Sequence, residues 1–176
     1  MKKSLPTVLV ISLISFIIIS SAAIAETRFA SITRQSGSDQ QQIVKIKAIP
    51  PEKPVSPGTL FELKLELTIA PGFHINSSQP GDEMLVPTSV ELKKDPAYEI
   101  KEIIFPEGKK KKFKFSDKPI SVYEGQVTIK IKLELAENIC GTFLEIEGTL
   151  RYQACDENTC LRPATIPFTA NIRMSS

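Results

Sequence analysis

The sequence has no tryptophan, and its 176 residues include a single histidine, His74. One histidine builds no nucleophilic triad without a matching nucleophile and an orienting acid, and no Gly-x-Ser-x-Gly elbow is present. The 8 glycines follow no fixed period and form no phosphate-cradling loop, which excludes collagen-like and dinucleotide-binding chains. Only one stretch is apolar enough to cross a bilayer, so a polytopic membrane protein is excluded. No long segment shows the three-to-four spacing of an amphipathic helix. Neither sign of charge dominates, with 22 Lys and Arg against 20 Asp and Glu.

The N-terminus reads as an export signal over residues 1–25. Lys2 and Lys3 supply the positive start, residues 8–19 an apolar run, and Ala23-Ile24-Ala25 a small-x-small cleavage site. An uncleaved anchor is the alternative, and membrane contact is expected only in that case. Removing Lys2 and Lys3 leaves 22 − 2 = 20 cationic side chains against 20 acidic ones. A neutral, exported chain is a poor nucleic-acid binder. Export, periplasmic or otherwise, also places the 3 cysteines in an oxidising setting, where an odd number leaves one thiol over.

Residues 26–42 are polar and weakly patterned, a flexible lead-in to one domain over residues 43–174. There the apolar period is two. Strands are predicted at residues 43–49, 60–70, 88–92, 98–105, 126–135, 142–154 and 164–174, separated by Pro/Gly turns. Seven to eight short strands predict an all-β, immunoglobulin-like antiparallel β-sandwich. About 130 residues suffice for a self-supporting core.

Parity places the cysteines. Leu144, Ile146, Leu150, Tyr152 and Ala154 share the inward face of one strand, so Cys155 is expected to leave the sheet away from the core. With Cys160 it would sit in a rim loop over residues 155–163, open to a partner. Four residues separate the two, close enough for a disulfide worth roughly 2 kcal/mol of chain entropy. That is little for a staple, whereas a nearby second thiol suits a redox pair. Spacing alone leaves both a static and an exchanging bridge open. Cys140, beside Gly141, is expected to be a buried or half-buried thiol, with a bridge to Cys155 or Cys160 as the alternative.

The segment Tyr152-Gln153-Ala154-Cys155-Asp156-Glu157-Asn158-Thr159-Cys160, followed by Pro163, resembles the active-site hairpin of the N-terminal domain of the DsbD thiol:disulfide interchange family. Three further pieces agree in order: Pro71-Gly72-Phe73-His74-Ile75-Asn76, Val86-Pro87-Thr88 and Val122-Tyr123-Glu124-Gly125. The resemblance implies a periplasmic immunoglobulin-like domain that relays electrons from a thioredoxin-like protein, or a membrane reductant conductor in trans, to oxidised periplasmic proteins. It implies that Cys160 forms the intermolecular disulfide and Cys155 resolves it. It also maps a cap to Val122, Tyr123 and Glu124, with Tyr123 as shield, and sets His74 and Asn76 beside the cysteines. No transmembrane or second thioredoxin-like region is expected within these residues.

Asp156 and Glu157 disfavour a thiolate, while Arg162 and His74 favour one, which makes Cys160 the expected reactive sulfur. No cofactor is expected. A metal held by His74, Cys155 and Cys160 is conceivable for soft sulfur ligands, but the usual short ligand spacings are missing. The run Lys109 to Lys112 with Lys114 reads as a solvated connection rather than a surface for lipid or an acidic partner. The rival to a redox carrier is a secreted, non-catalytic interaction module with a structural disulfide.

Overall fold

A computed structural model describes residues 43–114 and 116–175. The expected export signal and lead-in lie outside them. The described chain forms eleven strands: β1 (Val44–Ile49), β2 (Leu60–Ile69), β3 (His74–Asn76), β4 (Ser89–Leu92), β5 (Tyr98–Ile104), β6 (Lys109–Lys111), β7 (Ile120–Tyr123), β8 (Gln126–Leu135), β9 (Phe143–Tyr152), β10 (Ala154–Cys155) and β11 (Ala164–Arg173). The strands pair antiparallel throughout, in an all-β sandwich as predicted.

Three sheets have the orders β1-β2-β8-β5, β11-β9-β4 and β10-β3-β7-β6. The first two are built from strands with clean alternation. Leu63, Leu65 and Leu67 of β2 and Ile129, Ile131 and Leu133 of β8 are buried while the residues between them meet solvent. The same holds for Ile146 and Leu150 of β9 against Phe168, Ala170 and Ile172 of β11. Residues two apart point to one face, so these side chains merge into one apolar core. The β9–β11 hairpin is in register from Phe143 opposite Arg173 to Tyr152 opposite Ala164.

The third sheet is reached by tight crossings. After β2, the turn through Pro71 and Gly72 (φ +82°) delivers the chain to β3, with Phe73 N donating to Ala70 O at 3.1 Å. After β7, Gly125 (φ +66°) returns it to β8. Only glycine enters that left-handed region without steric cost. β9 enters the third sheet directly: Gln153 separates it from β10, which pairs with β3 instead of β11.

Three expectations are corrected here. The lysine run is an edge strand, β6, with all three residues exposed, rather than a connection. Cys140 is exposed rather than buried and bridges neither of the other cysteines. Cys155 is buried rather than open: Ala154 stays with Tyr152 in the apolar core and Cys155 leaves it as parity requires, but Cys155 is sealed on its own side, opposite His74.

Candidate functional site

Cys155 and Cys160 form a disulfide with their Cα atoms 4.0 Å apart. They face each other across a tight hairpin whose flanking backbone bonds run from Leu161 N to Ala154 O (2.8 Å) and from Asp156 N to Thr159 O (3.0 Å). This is the closely spaced, non-hydrogen-bonded position of an antiparallel pair, where opposing side chains approach most nearly. Asp156 builds the hairpin tip. Its Oδ1 accepts from Asn158 N at 2.7 Å and Thr159 N at 2.8 Å, an Asx turn. Those two amides hold the Asp156 carboxyl below the usual carboxylate range, which ties its charge to the turn.

The two sulfurs are not equivalent. Cys155 has no exposed surface, whereas Cys160 is half-buried. The expectation that both stand open on the rim therefore holds for Cys160 alone. Arg162 is exposed, two residues beyond it.

β3 lies directly against this hairpin. Cys155 pairs with His74 and Ala154 with Ile75. Opposing residues of an antiparallel pair share one side of the sheet, so the imidazole and Cys155 are neighbours. His74 is 3 % exposed, and its Nε2 is buried without a hydrogen-bond partner among the described residues. Burial pushes the imidazole below its ordinary value, opposed by the Glu124 carboxylate. The outer face of the ring is covered by Phe113, stacked at a centroid distance of 4.2 Å and an interplanar angle of 17°.

Asn76 belongs to a second layer of support. Its Nδ2 donates to Val86 O (3.0 Å) and to Gln153 Oε1 (3.1 Å), and Thr88 Oγ1 donates to its carbonyl at 2.5 Å. Gln153 also accepts from Val86 N (3.1 Å) and donates through Nε2 to Leu161 O (3.1 Å). One side chain thus ties both arms of the disulfide hairpin to the Val86 loop.

The structure puts Val122 and Tyr123 on β7, beside β3 rather than over the disulfide. Val122 pairs with Asn76 and Tyr123 with Ile75. Both are buried, and Tyr123 donates its hydroxyl to Pro106 O at 3.0 Å and receives Ser78 N at 3.3 Å. Glu124 forms a 2.5 Å ion pair with Lys111 of β6. The aromatic ring that covers the neighbourhood is Phe113, in the segment between β6 and β7. Sequence reasoning missed both it and Gln153. Phe113 stands alone between Lys112 and Lys114, and that isolation inside a charged run is the signal available for it.

The family model for the N-terminal region of the thiol:disulfide interchange protein DsbD matches residues 40–171. No curated protein matches. Among solved structures, the chain is similar to the reduced N-terminal domain of DsbD from Neisseria meningitidis, at 13% identity over 77% of this chain and 93% of that one, TM-score 0.47. It is similar also to the N-terminal periplasmic domain of ScsB from Proteus mirabilis, at 18% identity over 73% of this chain, TM-score 0.46; it spans 44% of that chain. With three quarters of its length matched by one family and a disulfide joining the paired cysteines, the chain belongs to the DsbD N-terminal domain family.

Proposed function

We propose that this is an exported thiol:disulfide exchange domain over residues 43–174, following a cleaved leader over residues 1–25. In this reading it takes two electrons from a thioredoxin-like donor and passes them to oxidised exported proteins through Cys155 and Cys160. The observation that carries the reading is the asymmetry of the disulfide: Cys160 has exposed surface and Cys155 none. Exchange proceeds by in-line attack on one sulfur while the other leaves, so an incoming thiolate reaches Cys160 and expels Cys155. A mixed disulfide at Cys160 then has its resolving partner held against it by the hairpin. Family membership supports the same reading.

The test is incubation of the oxidised domain with a reduced thioredoxin-like protein while free thiols are counted. Two new thiols per domain, beyond that of Cys140, are expected. Presented instead with an oxidised partner protein, whose disulfide supplies the oxidant, Cys155→Ser is expected to accumulate the mixed disulfide and Cys160→Ser to capture nothing. A bridge that resists the donor and equilibrates only far below about −300 mV is a permanent clasp, and the relay is then wrong.

A further inference from the structure

Resolution of a mixed disulfide requires Cys155 to attack as a thiolate, yet Cys155 is sealed from water. A thiol in such surroundings ionises less readily than an exposed one and needs a local proton acceptor. The register supplies one. Cys160 opposes Cys155 and Cys155 opposes His74. Glu124 follows Tyr123, the β7 partner of Ile75, and its carboxylate acts on the His74 imidazole. Thiol, imidazole and carboxylate thus come from β10, β3 and the residue that follows β7.

We propose that His74 accepts the proton of Cys155 as that thiol closes the disulfide, with the Glu124 carboxylate stabilising the imidazolium that forms. The inference rests on the exchange reading and adds the residue that moves its proton.

In the oxidised form Nε2 is buried and unpartnered, a costly state for a polar atom. Reduction converts Cys155, the strand partner of His74, into an S–H donor. In the forward step the S–H bond of Cys155 breaks and its proton passes to His74. The Cys155 sulfur then attacks Cys160 Sγ, the Cys155–Cys160 bond forms, and the bond from Cys160 to the partner's sulfur breaks. The partner leaves as a thiolate carrying both electrons. In the reverse direction a donor thiol gives its proton to His74 as its sulfur attacks Cys160, Cys155 leaves as thiolate, and the imidazolium passes that proton on to Cys155.

The charged groups around His74 come from three elements. Glu124 follows β7 and favours the imidazolium; Lys111 on β6 opposes it; Asp156 on the hairpin favours it. Lys111 is itself paired with Glu124. Burial keeps the imidazole neutral at pH 7, in the state that accepts a proton.

The test uses the reduced domain carrying Cys140→Ser, to remove the exposed third thiol, and the chromogenic aromatic disulfide dithiobis-nitrobenzoate. Attack by Cys160 releases one coloured thiolate and closure by Cys155 releases the second, so the second phase isolates the proposed step. For the unsubstituted His74 background, its rate is expected to follow an imidazole inflection below about pH 6.5 and to level off above it. His74→Gln is expected to slow the second phase about 100-fold at pH 7, to abolish the inflection and to leave the first phase in place. Glu124→Gln, which leaves the core intact, is expected to move the inflection to lower pH. Second phases that superimpose for His74 and His74→Gln between about pH 5 and pH 8 overturn the proposal. If His74→Gln fails to fold, an unmoved inflection in Glu124→Gln overturns it instead. The aromatic disulfide reads this step without any protein partner, so failure of the donor to reduce the domain is a separate result.

Discussion

Gln153→Ala is predicted to loosen the disulfide hairpin more than any other single polar truncation near it. The side chain makes three hydrogen bonds of 3.1 Å, to Asn76 Nδ2, Val86 N and Leu161 O. A typical intramolecular hydrogen bond contributes about 1 kcal/mol net, which puts the gross loss at roughly 3 kcal/mol. Asn76 Nδ2 keeps its bond to Val86 O at 3.0 Å, which offsets part of it. Val86 N and Leu161 O lose the Gln153 partner, and because the site is half-buried, water restores only a fraction. The expected net cost is about 2–3 kcal/mol, seen as a lower urea midpoint at unchanged slope and a melting point lower by roughly 5–10 °C. Gln153→Glu separates the two ends of the clasp. It keeps the acceptor for Val86 N and Asn76 but sets a carboxylate against Leu161 O, so it should destabilise while preserving the Val86 loop. Leu161 follows Cys160, so both variants should let small thiols reduce the disulfide faster. A cost of Gln153→Ala below about 0.5 kcal/mol refutes the reasoning, because the three contacts would then be replaceable by solvent.

Phe113→Ala removes the ring stacked on His74. An aromatic pair contributes about 0.5–1.5 kcal/mol beyond its buried area, so a loss of about 1 kcal/mol is expected. The more specific readout is an imidazole titration by NMR: with water admitted, the His74 value should rise towards its ordinary 6.5. Acid should destabilise the oxidised domain through the same residue. Folding lowers the His74 value, so below about pH 6.5 the unfolded chain binds a proton that the folded one refuses. Stability is therefore full above that pH and falls as pH drops towards the folded value. Urea midpoints at about pH 7.5 and pH 5.5 should differ more for the unsubstituted protein than for His74→Gln.

The parts of the molecule visible in its sequence are those with room for a period. Seven strands of four to ten residues alternate well enough to be placed, and each is found within two residues of its predicted ends. The sheet that carries the disulfide was not visible at all. Its strands are two to four residues long, and β3 reads His74, Ile75, Asn76 with all three buried. A segment covered on both faces shows no alternation, so period two has nothing to register. The burial of Cys155 is hidden for a related reason. Parity counted from Leu144 carries through Ala154, which joins the core, and turns Cys155 off it, but a count along one strand does not show what closes over the other side once the chain changes sheet at Gln153. The neighbourhood of His74 came from resemblance to a family. The stacking of Phe113 on it came from neither source, since the contact is long-range in a charged segment.

The far edge of the disulfide sheet has its own consequence. Lys109, Lys110 and Lys111 set three exposed lysines, the last paired with Glu124, on a margin whose backbone would otherwise template another strand. Repulsion between two such margins opposes edge-to-edge pairing of two copies, and the sulfurs lie at the opposite margin of the sheet. Neutralising Lys109 and Lys110, by acetylation for instance, would remove that protection against fibrillar growth and leave the Lys111–Glu124 pair in place.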